Sequence, residues 1–303
     1  MSTVLPCTVL IVGSLHYDIM VEADHLPRRD ETAIGSRWFP KFGGKGGNQA
    51  VAAARAGAVS RMVGAVGDDG FGVFLRDHLA KGGVDGGFIA KVPGVGSGMS
   101  VAIQDPSGDY AATIVSGANL HITAAQTSDP AVWADVTLLV LQNEVPDAVN
   151  LAAATAARQR GIPSLLNAAP CRPLSADLCR LIDILVVNAV EAEMLGTAPV
   201  TDLTSAAAAA RALADRFATV IVTAGVAGLA ACTGTMQGFA VPAQRVQVVS
   251  SHGAGDAFIG TLACSLAAGL GLEAACRAAS QAAARHVAGL SDQDDTAARD
   301  QKA

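Results

Sequence analysis

The segment Thr137–Asn167, TLLVLQNEVPDAVNLAAATAARQRGIPSLLN, decides the fold class. Thr137–Gln142 is a short apolar run of strand length, and Pro163–Asn167 is a second. Between them, Asp147–Arg160 is Ala-rich and reads as a helix. The same rhythm continues on both sides. Strands are expected at Val9–Val12, Met62–Val66, Ile184–Asn188 and Thr219–Thr223. Helices are expected near Gln49–Ala56, Phe71–Lys81, Ala189–Leu195 and Ser205–Phe217, with two more at 255–269 and 272–288. Repeated strand–helix alternation implies an α/β chain: a three-layer α/β/α sandwich whose mostly parallel sheet is covered on both faces. Ligands of such sheets bind at the carboxyl ends of the strands.

Two regions break the rhythm. Residues 18–42 alternate without a helical period and contain two prolines. Residues 97–117 place MSVAIQ and YAATIV around Asp105-Pro106-Ser107-Gly108, a hairpin signal. Both are expected to form a small sheet standing off the main body, a candidate lid.

Composition narrows the function. Of 303 residues, 51% are hydrophobic and only 4% aromatic, so the core is built from Ala, Val, Leu and Ile. Charged residues make up 16%, too few for a disordered chain. The net charge of -6 gives no general attraction to nucleic acid or to an anionic membrane. The six cysteines form no C-x-x-C pair and no zinc pattern, which points to buried reduced thiols. The N-terminal apolar run has no basic leader and reads as a strand; no run reaches membrane-spanning length, so a cytoplasmic protein is expected.

Four segments carry chemistry. In Phe42-Gly43-Gly44-Lys45-Gly46-Gly47-Asn48, glycines let the backbone approach a ligand, and Asn48 is suited to cap the helix that follows. The segment matches neither Walker A nor a dinucleotide fingerprint. In Ser250-Ser251-His252-Gly253-Ala254-Gly255-Asp256, an expected strand Val246–Val249 ends and a long helix begins. Unpaired N–H groups at that helix start would hold an anion, with the Asp256 carboxylate beside them as a base. Asn188-Ala189-Val190-Glu191 fits a helix cap, or a turn placing Mg²⁺ through water. Thr223-Ala224-Gly225-Val226-Ala227-Gly228 fits a plain turn, or a surface for a nucleotide. Each segment taken alone also has a purely structural explanation.

In this order and spacing, the segments resemble the ribokinase family of carbohydrate kinases from Gly13 to about Gly289. FGGKGGNQAVAAARAGA, VGAVGDDGFG, SGANL, NAAP and Gly253-Ala254-Gly255-Asp256 carry the likeness. The resemblance implies one ribokinase-like kinase domain over 1–290, with lid segments about 18–42 and 97–117 and a polar tail over 291–303. It implies an ATP-dependent transfer to a hydroxyl of a small sugar or polyol, with Asp256 as base and Gly253, Ala254 and Gly255 as the anion hole. His16, Asp18, Gly43, Gly44, Lys45, Asn48 and Glu144 would bind the sugar. Asn188, Thr223, Gly225, Gly228 and Ser280 would bind ATP, with Glu191 placing Mg²⁺, and the lids would pair two subunits as a homodimer. His16 stands where ribokinase-like members carry Asn, which bears on substrate choice. Ser250 stands where potassium-activated members carry Asp, which argues against a K⁺ requirement. A ketohexose, nucleoside or polyol kinase, and a non-catalytic sugar or nucleotide sensor, are the alternatives.

Overall fold

In the strand Thr8–Val12 (β1) every residue is buried. Leu10 and Val12 enter one core, while Val9 and Ile11 enter the other. A strand with period 2 and both faces apolar belongs in the middle of a covered sheet. A computed structural model describes residues 7–107, 110–234 and 238–290. The tail expected over 291–303, and Gly108 of the expected turn, lie outside the described residues.

The remaining strands follow as His16–Ala23 (β2), Gly35–Gly43 (β3), Val59–Gly67 (β4), Val84–Val92 (β5), Met99–Gln104 (β6), Tyr110–Val115 (β7), Val136–Gln142 (β8), Ser164–Asn167 (β9), Ile184–Asn188 (β10), Thr219–Thr223 (β11), Gly228–Thr233 (β12) and Phe239–Pro242 (β13). The main sheet runs β13-β12-β11-β10-β9-β8-β1-β4-β5. It is parallel from β11 to β5, and β12 and β13 close one edge antiparallel. The helices are Lys45–Arg55 (α1), Gly70–Lys81 (α2), Ala124–Ser128 (α3), Asp147–Gln159 (α4), Ala176–Leu181 (α5), Ala189–Met194 (α6), Leu203–Leu213 (α7), Ala254–Ala267 (α8) and Leu272–Val287 (α9). α1, α2, α8 and α9 cover one face of the sheet; α4, α5, α6 and α7 cover the other. The expected three-layer α/β/α architecture is present. No helix among the described residues is long and apolar enough to cross a membrane.

The second sheet has the order β3-β2-β6-β7. β2 pairs antiparallel with β3 and parallel with β6, and β6–β7 is the expected hairpin. The sheet rests on α2 through Tyr17, whose ring stacks on Phe71 with centroids 4.0 Å apart. Asp18, Lys41, Ser100 and Ile114 lie directly opposite one another across the four strands and so share one face.

Some elements depart from expectation. β5, β12 and β13 were not anticipated. β5 is interrupted by glycine and charge, and β12 and β13 are too short and too poor in β-branched residues to show a strand pattern. The helix expected to reach Phe217 ends at Leu213. The expected strand Val246–Val249 does not form. The chain there has left the edge strand β13, and the N–H groups of Val249 and Ser250 bond to the Val287 carbonyl at the end of α9 instead. With no neighbouring strand to complete, Val248 and Val249 are exposed.

α1 and α8 touch almost backbone to backbone. A Cβ on Gly260 would sit 2.4 Å from the Ala52 Cβ and 2.6 Å from the Ala53 nitrogen. Gly260→Ala should therefore destabilise the fold by about 1–3 kcal/mol through overpacking. Gly70→Ala, with no atom within 4 Å of the new methyl, should stay within about 0.5 kcal/mol of the parent. Urea unfolding of the two variants side by side measures the difference.

Candidate active site

α1 begins at Lys45, not after the glycines. Gly44 caps it with φ 87, a left-handed backbone that favours glycine. Gly46 lies so close to β1 that a Cβ would stand 2.5 Å from the Ser14 nitrogen. The helix can start this early because Gly46 carries no side chain to meet the Gly13–Ser14 backbone just after β1, and Gly47 none to meet the Phe42 and Leu15 side chains. Asn48 is thus inside the first turn and does not act as the expected cap. Its amide is free to reach across the site, and Nδ2 donates to Asp256 Oδ2 at 3.1 Å. The next residue, Gln49, is fully buried, and its Nε2 donates to Asp256 Oδ1 at 2.9 Å.

Asp256 sits in the first turn of α8, after Gly253, which caps the helix with φ 83. A side chain at Gly253 would also come within 3.0 Å of the His286 ring. Ala254 donates to the Ser251 carbonyl and Ala257 to the Gly253 carbonyl. Among the described residues, the N–H groups of Gly255 and Asp256 have no backbone partner, which leaves two donors at the positive end of the helix.

A cavity of about 140 Å³ lies over the carboxyl ends of β9, β10 and β11. Lys45, Asn167, Asn188, Glu191, Thr223 and Asp256 line it, together with Gly253 and Gly255. A larger cavity of about 940 Å³ meets it at Gly253 and Asp256 and takes in Lys41, Asn48 and His252. The carboxylate therefore stands at the junction of two spaces. Burial pushes its pKa above the ordinary Asp range; the Lys45 charge and the Gln49 and Asn48 hydrogen bonds pull it back, and the Glu144 charge adds to the rise.

The Asn188–Glu191 segment forms a reciprocal capping box. Asn188 Oδ1 accepts from the Glu191 N–H, and Glu191 Oε2 accepts from the Asn188 N–H, both at 2.8 Å. Glu191 still lines the cavity. Burial raises its pKa, against the Asn188 hydrogen bond and the Lys45 charge. One carboxylate facing a cavity that Lys45 also lines fits a Mg²⁺ carried by phosphate oxygens and water. Among the described residues, no cluster of three His, Cys, Asp or Glu side chains could hold a metal without such oxygens.

The remaining expected sugar residues gather behind Lys45. Glu144 Oε2 accepts from the Lys45 N–H at 2.8 Å and from Ser14 Oγ at 2.5 Å. Asp18 accepts from Ser100 Oγ and lies against Gly43, where a Cβ would meet its Oδ2 at 1.9 Å. His16 is buried beside Gly44 and Gly98, and its Nε2 has no hydrogen-bond partner among the described residues. Thr223 and Lys45 line the smaller cavity and Asn48 the larger, whereas His16, Asp18, Gly43, Gly44, Glu144, Gly225, Gly228 and Ser280 line neither. Gln49, Lys41, Ser14, Ser100 and Asn167 belong to the site but were not anticipated. A signal existed for Gln49, since a large amide inside an otherwise small-residue helix needs a partner if buried. Ser14, Ser100 and Asn167 show none without the tertiary contacts. The cysteines of the described residues are free thiols, and burial pushes Cys264 and Cys276 up to about 12, so they remain protonated and inert.

A carboxylate, open helix amides and a lysine converging at the strand ends of a doubly covered sheet define a class: kinases that move a phosphoryl group from a nucleotide to an alcohol. Comparison with known proteins gives the family. The pfkB family of carbohydrate kinases matches residues 8–298, and this chain belongs to it. The chain is 35% identical to mouse ribokinase over 266 residues, covering 86% of this chain and 81% of that one. It is 34% identical over 280 residues to Bacillus subtilis ribokinase, covering 92% of each. The structure of Arabidopsis thaliana ribokinase complexed with ribose and ATP superposes with a TM-score of 0.86 at 27% identity, covering 93% of each chain. The chain is an ATP-dependent kinase of a sugar or sugar-like substrate.

The raised Asp256 pKa has a sign. Its carboxyl binds a proton more tightly folded than unfolded, so this group's contribution to stability falls as pH rises from the ordinary Asp range through the raised folded value. Asp256→Asn lacks that fall. Melting temperatures of parent and variant, measured from pH 4 to pH 8, should shift in favour of the variant as pH rises and level off once Asp256 is ionised in the folded state. A constant difference across that range would contradict the shift.

Proposed function

We propose that the chain phosphorylates a primary hydroxyl of a ribose-like sugar, with Asp256 as the base. The observation that carries this reading is the Asp256 carboxylate at the start of α8, where both cavities meet. Asp256 takes the hydroxyl proton as the oxygen attacks the γ-phosphorus, and the bond to the bridging oxygen breaks to release ADP. The N–H groups of Gly255 and Asp256, in the first turn of α8 after Gly253, stabilise charge on the transferring group, while the Ala254 N–H is already bonded to the Ser251 carbonyl. Lys45 neutralises part of it from the opposite wall of the cavity.

The sugar is assigned to His16, Asp18, Gly43, Gly44, Lys45, Asn48 and Glu144. Asp18 and Glu144 offer carboxylates to hydroxyl groups, and the glycines leave room for the ring. His16 gives a basis for specificity: a buried imidazole nitrogen without a protein partner favours a substrate that supplies one. ATP is assigned to Asn188, Thr223, Gly225, Gly228 and Ser280, of which Asn188 and Thr223 line the smaller cavity. Glu191 would hold Mg²⁺ through water, and that ion would neutralise phosphate charge. Ser250 supplies no carboxylate, so turnover is expected to be independent of potassium. Ribose is favoured over a ketohexose, nucleoside or polyol by the ribokinases this chain resembles.

The small sheet is assigned as a lid that also pairs two copies of the chain. Trp38, Ile114 and Val115 are more than half exposed on it, an apolar load that a lone protruding sheet would leave in water. Trp38→Glu should convert a dimer to a monomer in light scattering at micromolar concentration. A parent that is already monomeric would remove the assignment.

Asp256→Asn should lower kcat by about 10²–10⁴-fold. Binding of ribose, followed by calorimetry, should change little. Residual turnover near the parent value would remove Asp256 as base. ADP release across a panel of ribose, deoxyribose, fructose, nucleosides and polyols fixes the acceptor, and a higher kcat/KM for any other member displaces ribose.

A further inference from the structure

Among the described residues, two side chains hydrogen-bond to Asp256, and of these Gln49 lines neither cavity. It is fully buried on α1, whereas its neighbour Asn48 lines the larger cavity. Its Nε2 donates to two acceptors at once, Asp256 Oδ1 on α8 at 2.9 Å and Asn167 Oδ1 at the end of β9 at 3.1 Å. One amide nitrogen thus ties together a helix from each end of the chain and a strand from its middle. Asn167 lines the smaller cavity beside Asp256, so the tie also spaces those two groups.

We propose that Gln49 is a positioning residue for phosphoryl transfer. By occupying Asp256 Oδ1 it fixes the carboxylate plane, and it keeps the base anionic without touching sugar or nucleotide. The proposal rests on the reading of Asp256 as base.

The division of labour follows from geometry. Asn48 holds Oδ2 and also lines the larger cavity, so its amide can exchange with a ligand hydroxyl. Gln49 is walled off from both cavities, and its hydrogen bond to Oδ1 persists whether or not the site is filled. A buried carboxylate held by one permanent donor keeps a single orientation, and small misplacements of a reacting group are costly. The other charged or titratable groups around Asp256 are Lys45 at the start of α1, Glu144 after β8, Glu191 on α6, Lys41 on β3 and His252 before α8. Gln49 is neutral, so it stabilises the anion without adding to this set of charges.

Gln49→Met keeps the length of the side chain and removes both hydrogen bonds. Gln49→Glu keeps the shape and places an acid against Asp256. In the full-length enzyme with ribose and ATP, Gln49→Met should lower kcat by roughly 10- to 100-fold. KM for both substrates should stay within about twofold. The acidic limb of the kcat/KM profile should move to higher pH, because the Asp256 anion has lost a donor. Gln49→Glu should move that limb further in the same direction, since two adjacent carboxyls resist double ionisation. A purely structural role predicts a lower melting temperature with the limb unmoved, and that result in either folded variant would overturn the proposal. A rise in KM at unchanged kcat would overturn it too. Asp256→Asn runs in parallel. If that variant loses turnover while the Gln49 variants keep the parent pH limb, Gln49 is not positioning the base; if it keeps turnover, the base assignment itself has failed.

Discussion

The structure depends on how closely α1 can approach its neighbours. Gly46 presses against the end of β1, and Gly260 on α8 presses against Ala52 and Ala53. At both contacts the limiting surface is backbone or the fixed Cβ of an alanine, so a single methyl group would force the elements apart. Only at this separation do the amides of Asn48 and Gln49 reach the carboxylate of Asp256, more than two hundred residues away in sequence. Packing and chemistry are therefore one constraint here, and loss of the first removes the second.

That constraint produces an electrostatic compromise. To serve as the proposed base, Asp256 must be anionic at working pH yet retain affinity for a proton. Burial supplies the affinity, while Lys45 and the two amides preserve the anion. Glu191 shows the same balance in the smaller cavity, with burial opposed by a capping hydrogen bond and again by Lys45. Lys45 serves both carboxylates because the early start of α1 carries it over the strand ends. The capping box at Asn188 shows that a structural and a functional reading of one motif are compatible. The cap consumes one oxygen of Glu191 and orients the side chain toward the cavity.

The larger part of the architecture was legible in the order of residues. Apolar runs of strand length, set between Ala-rich segments, marked β1, β4, β8, β9, β10 and β11, because a strand buried on both faces cannot conceal its composition. β5, β12 and β13 were missed for other reasons: edge strand β5 is only partly covered and tolerates glycine, lysine and aspartate, while β12 and β13 are short and built largely of glycine and alanine or closed by proline. Val246–Val249 misled in the other direction. Four residues rich in valine have strand propensity, but a strand also needs an available partner, and the chain had already left the sheet.

Chain order alone determined the doubly covered parallel sheet, the small second sheet and the glycine turns that lead into α1 and α8, since these follow from local periodicity and from backbone angles that favour glycine. The tertiary structure decided which side chains meet. Asn48 looked like a cap and became a hydrogen-bond donor to Asp256; Gln49 looked like an ordinary helix residue and became that carboxylate's second holder. Hydrogen bonds act over about 3 Å and depend on the relative placement of distant elements. Local sequence does not encode that distance; the packing of α1 against β1 and α8 sets it.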